Sequence, residues 1–443
     1  VNLAFVTAIG VVLTVGVNTP LVYAQPRPSD RPYRAVFGRG HQGTSGQDMN
    51  VSATLMQAYD DNLLADAGSV SPGGVVVSGQ YTMLQAAGDY AWSSERAQLG
   101  ITGATALRYY SQIGDVQNAS HSGGIGFSVA LAKRTQLALN GSAAYSPSYL
   151  ANLFPTVGDV RLGDGQPVNP NYAVNDVSSY SYAASAALSH AVTTRGTLQA
   201  VANYTFTDFF GGTVTRPDGS SYEGRVLFAR RFGRHSAASV GYRYQSGDFG
   251  QVAGEKSTDN GIDFGFEHTK VLSATRSAHI SFGLGTSRAT LPEQLRTLSP
   301  TGSEQLYRVT GNGTLAYDFS RTGRLAASYR RGVEYILQLS QPVFVDGINV
   351  SAGGSPTRRV DLTIGAGYSN GASILQQSAQ FDTYTGDVST SILLTRAISA
   401  YLQYVYYFYD FGTSALLAPG LPQKQARNGI RAGLTLSTPL LRR

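Results

Sequence analysis

Glu223 and Arg225, Asp263 and Glu267, and Arg359 and Asp361 stand two or four residues apart. Even spacing puts such a pair on one face of an extended strand. A row of guanidinium and carboxylate groups on one face can select solutes by charge, but it cannot by itself make or break a bond. Bond-making groups have no such order. The six histidines, His41, His121, His190, His235, His268 and His279, stand singly, and the sequence contains no HExxH, no GxSxG and no phosphate loop. His190 and His268 fall near strand ends on the face read below as lipid-facing, where an interfacial ring is the ordinary reading. The pattern excludes a metal site or a cofactor cradle and predicts a protein that is not an enzyme. A barrel hydrolase with Ser and His on neighbouring strands at the rim is a lesser alternative.

The elements that would carry those charges are short alternating runs. In "GGIGFSVALAK", Ile125, Phe127, Val129 and Leu131 share one face, opposite Gly124, Gly126, Ser128 and Ala130. The same alternation returns in "SYSYAASAALSH", "GTLQAVANYTF", "SAASVGYRYQ", "DNGIDFGFEH", "RVDLTIGAGY" and "GIRAGLTLS". Each run has the length of a tilted strand that crosses a bilayer. Eighteen such runs fit between residues 49–58 and 427–438. Eight short connections, among them "SSER", "KRT", "TTRG" and "LTRA", each carry Arg or Lys and alternate with longer ones. That wiring predicts an all-β fold, a transmembrane up-and-down antiparallel β-barrel with short periplasmic turns and longer outer loops, in the outer membrane of a Gram-negative-type bacterium. Parity fails midway in "VFVDGINV" and "FDTYTGDVST", which calls for bulges near Gly347 and Gly386 or for a count that is wrong by two strands.

Composition agrees with a barrel. Charged residues make up 14% of the 443 residues, with 51 glycines, 27 tyrosines and no cysteine. The net charge of +6 is scattered, which argues against a nucleic-acid partner. The apolar run Leu3–Val17, then Pro20 and the small-residue positions Val22 and Ala24, predicts a signal peptide over 1–24, although no Lys or Arg precedes the run. Residues 25–48, rich in Pro, Gly and Arg, read as a flexible periplasmic arm, and 49–443 as the barrel.

The segment "YLQYVYYFYDF" carries tyrosine on both faces, which suits a wall with lipid outside and a wet lumen inside. Leu402, Tyr404, Tyr406 and Phe408 then face lipid, and Tyr407 and Tyr409 face in as sugar-stacking candidates. Alternation points Arg108, Arg225, Arg231, Arg243, Arg308, Arg324, Arg330, Arg359 and Arg431 inward, with Asp89, Glu223, Asp263, Glu267, Asp318, Glu334, Asp361 and Asp382. Near-equal numbers of the two signs predict a wall without strong anion or cation preference. Arg331 falls on the lipid parity, where ~2–4 kcal/mol at the midplane argues for a bulge or a different register. The longest loop, 146–177, holds Asp159, Arg161 and Asp164 as candidates for a charged constriction.

The segments "VSATLMQAYDDNLLAD", "ASYRRGVEYILQLSQPVFVDGINVSAGG", "YLQYVYYFYDF" and "IRAGLTLSTPL" resemble the putative β-barrel porin-2 family of outer-membrane proteins. The resemblance implies a channel for hydrophilic solutes, and exopolysaccharide export as its specific task, with periplasmic polysaccharide-export components as partners beside the outer-membrane lipid. The alternative of another class is a barrel that serves as a surface adhesin or structural anchor.

Overall fold

The computed structural model describes residues 46–63, 78–111, 116–147, 177–211, 218–248, 256–290, 305–334, 342–373, 380–410 and 424–442. Every regular element among them is a strand. The first nine are β1 (Gly46–Asp60), β2 (Gly79–Ser93), β3 (Ala97–Tyr110), β4 (Val116–Ala132), β5 (Thr135–Ser146), β6 (Val177–Ala191), β7 (Gly196–Gly211), β8 (Gly219–Arg231) and β9 (Ser236–Asp248). The rest are β10 (Ser257–Ser273), β11 (Arg276–Thr290), β12 (Gln305–Asp318), β13 (Arg324–Glu334), β14 (Val343–Thr357), β15 (Val360–Ser373), β16 (Gln380–Leu393), β17 (Ile398–Asp410) and β18 (Lys424–Arg442). Each strand pairs antiparallel with the next, and β1 pairs with β18, so the sheet closes into an eighteen-stranded barrel with no free edge strand. Closure satisfies the backbone between strands, which is the condition for a sheet to span lipid.

The outward face is apolar. Leu55, Leu84, Leu107, Ile125, Phe264, Phe282, Leu284, Leu402 and Leu434 are exposed there, on alternate positions of their strands. Near the ends that lead to the longer loops, the same face turns polar in a repeated way. The hydroxyls of Tyr242, Tyr329, Tyr368 and Tyr404 donate to Asn260, Asp346, Asp382 and Asn428 on the following strand, at 2.6, 2.7, 2.8 and 2.7 Å. Rings toward lipid with hydroxyls tied at one height form an interfacial girdle. His190 and His268 lie at the short-turn end, bonded to the hydroxyls of Thr135 and Ser236, as expected of interfacial rings. An even-stranded closed barrel with an apolar band and a girdle is an outer-membrane barrel.

The bulges expected near Gly347 and Gly386 are absent. Pairing runs unbroken through both glycines on either side. The parity seemed to fail because the outward faces of β14 and β16 carry Asp346 and Asp382 at girdle height, while the inward face of β14 carries the apolar Val343 and Val345. Register does shift at four other places: Met49/Asn50, where Pro439 of β18 can donate no ladder bond, and the short-turn ends of β4, β10 and β14.

Candidate functional site

The lumenal wall is built in two ways. On β4, β10, β11 and β15 an inward glycine lies directly opposite a polar residue, and that side chain lies over the glycine. Asn140 covers Gly126, Ser239 covers Gly265, Asp263 covers Gly285 and Asn312 covers Gly283. Gly367 is covered from both sides, and a Cβ there would meet Asn349 Oδ1 and Thr385 Oγ1, each at 2.6 Å. Polar groups thus line this wall lying flat, and among them Asn140, Asn312 and Asn349 remain exposed.

Charged residues sit in the same sector. Arg225 reaches Asp263 at 3.4 Å, and Arg243 reaches Asp259 at 3.4 Å. Asp259 is fully covered and also accepts a bond from Ser287. Arg330 pairs with Glu334 at 2.5 Å, four residues on along β13, and Asp361 accepts from Ser355. Glu223, Glu267 and Arg308 lie on inward parity, beside the outward Tyr222, Phe266, Tyr307 and Val309. Arg231 and Arg324 also have inward parity, and Arg324 approaches Asp318 at 4.0 Å near the short turns.

Three sequence expectations are corrected. Arg359 lies in the turn between β14 and β15, not on the wall, because β15 begins one residue later at Val360. Asp382 points outward and is bonded by Tyr368 and Asn370, since the bulge that would have turned it inward does not exist. Arg331 points outward without any bulge. It stands near the outer end of β13, where Asp346 at 3.3 Å and the ring of Phe344 hold it. The midplane penalty therefore does not apply.

The other construction is a packed sector on β17, β18, β1, β2 and β3. Met56, Ala58, Tyr81, Met83, Ala106 and Tyr110 form a buried cluster inside the barrel, with Leu63 from the end of β1. Arg108, 2% exposed, lies over the Tyr81 ring at 5.8 Å, and Tyr81 packs on Tyr110 at 5.1 Å. Arg427 binds Asp60 through Nε at 2.6 Å, and Asn428 meets Asp61, so charge and amide groups fasten the closing seam of the barrel. Arg431 is equally buried and reaches Gln403 at 3.5 Å. Tyr407 and Tyr409 face inward and stack at 6.0 Å, but at 6% and 1% exposure their rings belong to this packed sector and present no open face to a sugar.

Sequence reasoning missed Asp60, Asp259, Asp387 and Arg427 as lumenal groups. Asp60 stands two residues past the expected end of its strand, on the parity of Met56 and Ala58, and extending the alternation would have found it. Asp387 was hidden by the bulge expected at Gly386. Asp159, Arg161 and Asp164 lie outside the described residues, as do the signal peptide and most of the arm.

No protein-family model matches the chain, and no curated protein sequence is similar to it. Solved structures share the barrel shape. Pseudomonas aeruginosa OccK2 (OpdF), solved in complex with glucuronate, covers 89% of this chain and is covered over 98% of its own, at 10% identity and a TM-score of 0.45. Pseudomonas aeruginosa OprD covers 89% and is covered over 96%, at 8% identity and a TM-score of 0.42. The ferric-catecholate import receptor Fiu from E. coli covers 90% and is covered over 82%, at 9% identity and a TM-score of 0.42. Likenesses this distant concern the barrel alone.

Proposed function

We propose that this outer-membrane barrel is a channel for hydrophilic solutes, with the glycine-backed sector as its conducting wall. The observation that carries this reading is the repeated placement of a polar side chain flat over an opposing glycine at Gly126, Gly265, Gly283, Gly285 and Gly367. A barrel that served only as an anchor or adhesin gains nothing from a wall that is both polar and recessed. Eighteen strands enclose enough width for water beyond the side chains. The wall carries both signs, and its cations and carboxylates are largely paired, so the channel should discriminate weakly by charge. Polysaccharide export, which the family resemblance implies, has no support from the tyrosines offered for it, because Tyr407 and Tyr409 are covered.

The purified protein in planar bilayers should give stable ion conductance. Replacing Arg243, Arg308 and Arg330 together by serine leaves Asp259 and Glu334 without their cations and should move the reversal potential in a salt gradient toward cation selectivity. Absence of conductance in a barrel that still migrates faster unheated than boiled would refute the channel. An unmoved reversal potential would place those arginines off the ion path.

A further inference from the structure

Among the described residues the wall is not paired along its whole height. The β12–β13 seam holds eight paired residues and ends at Gly311 and Arg331, whereas the flanking β11–β12 and β13–β14 seams hold fourteen and eleven. Above that point β12 stays paired to β11 through Gln305, and β13 stays paired to β14 through Glu334, but among the described residues the two do not pair with each other. Two unpaired edges therefore face one another, starting at the height of the Tyr329 and Asp346 girdle pair. Open edges are not tolerated in hydrocarbon but can stand at the interface, where polar groups reach them.

What lies in this breach is specific. The ring of Phe344 sits under the guanidinium of Arg308 at 4.9 Å and under that of Arg331 at 5.2 Å. Arg308 has lumenal parity and Arg331 has outward parity, so the ring occupies the wall itself. Val333, Val343 and Val345 beside it are buried, which makes the throat apolar. On the outward face of the unpaired edge, Tyr307 and Val309 are 71% and 66% exposed, the most exposed large apolar side chains among the described residues. Arg331 is neutralised by Asp346, and Arg330 by Glu334. Arg308 meets no carboxylate among the described residues, and its Nε is buried without a hydrogen-bond partner.

We propose that the β12–β13 breach is a side opening at which a single-chain anionic amphiphile binds from the outer leaflet, its tail along Tyr307 and Val309, its headgroup on Arg308, and Phe344 as the displaceable plug. Among the described residues Arg308 is thus a cation without a carboxylate, set behind an apolar throat. The solute channel does not depend on this opening, and the test below separates the two.

The chain has one tryptophan, Trp92, and no cysteine, which makes a clean reporter possible. With Trp92→Phe and Phe344→Trp, brominated dodecanoate in the vesicle membrane should quench the new tryptophan at about tenfold lower concentration than brominated dodecanol, and Arg308→Gln should abolish that preference. Thr310→Cys and Gly332→Cys stand one rung beyond the last pair; a Cβ at Gly332 meets nothing within 4 Å, Thr310 included, so a disulfide there draws the two edges together. Oxidising that pair should weaken dodecanoate quenching about tenfold while leaving bilayer conductance unchanged. Equal quenching by acid and alcohol overturns the proposal, as does undiminished quenching in the cross-linked barrel. A conductance change on cross-linking overturns it too, since the hairpin would then be gating the axial path. If mass spectrometry finds no disulfide, the Arg308→Gln comparison decides alone.

Discussion

The sectors centred on β18 and on β11 have the same backbone, the same alternation and the same inward polarity rule, yet one is a packed core and the other an open wall. Side-chain volume opposite the partner strand makes the difference. Around β18, Tyr, Met and Arg face one another and bury one another, down to 1% exposure at Tyr409 and Arg431. Around β11, Asp263, Asn312 and Ser239 each face a glycine and have somewhere to lie. A barrel of this size need not be uniformly hollow. One side can supply the interior packing that a solvated barrel otherwise lacks, while the other conducts.

The sharpest way to break this contrast is to remove a partner within the packed sector. Asp60→Ala strands the Arg427 guanidinium, which is 5% exposed, and should cost about 3–5 kcal/mol. A large fall in the urea midpoint of the purified barrel checks it. A midpoint unchanged from the parent would mean that this sector is wet. Filling the open wall should cost less stability and more function. Gly367→Leu drives Asn349 and Thr385 off their seat, should cost about 1–3 kcal/mol, and should lower single-channel conductance. Full conductance in that variant would place the conducting wall elsewhere. The smallest effect belongs to a pair at the short-turn rim. Arg324→Gln breaks a 4.0 Å contact with Asp318 between groups more than two-fifths exposed, and about 0.2–1 kcal/mol is expected. A loss as large as that of Asp60→Ala would show that the short-turn rim is structurally coupled to the core.

The sequence could be read this far because alternation is a local property. Tyr242 and Phe264 face lipid, and Arg225, Arg243 and Asp263 face the lumen, because successive side chains on any strand point to opposite faces, whatever the strand pairs with. Eighteen strands, their order and the lengths of their turns follow from counting such runs. The same rule misled at Asp382 and Arg331. There a charge on the lipid parity looked like an error of register, whereas it stood at the girdle with a partner from the next strand. Height along the barrel axis depends on tilt and stagger, which no single strand records.

Tertiary structure alone decided the rest. Closure of β18 on β1 brings Arg427 to Asp60 across nearly the whole chain, and the register of each seam determines whether a glycine meets a glycine or an asparagine. The end of the β12–β13 ladder at Gly311 and Arg331, with Phe344 seated between cations of opposite faces, is equally a matter of which residues arrive side by side. Facing is fixed by the period of the strand, but burial and pairing are fixed by the neighbour, and the neighbour is chosen only when the sheet closes.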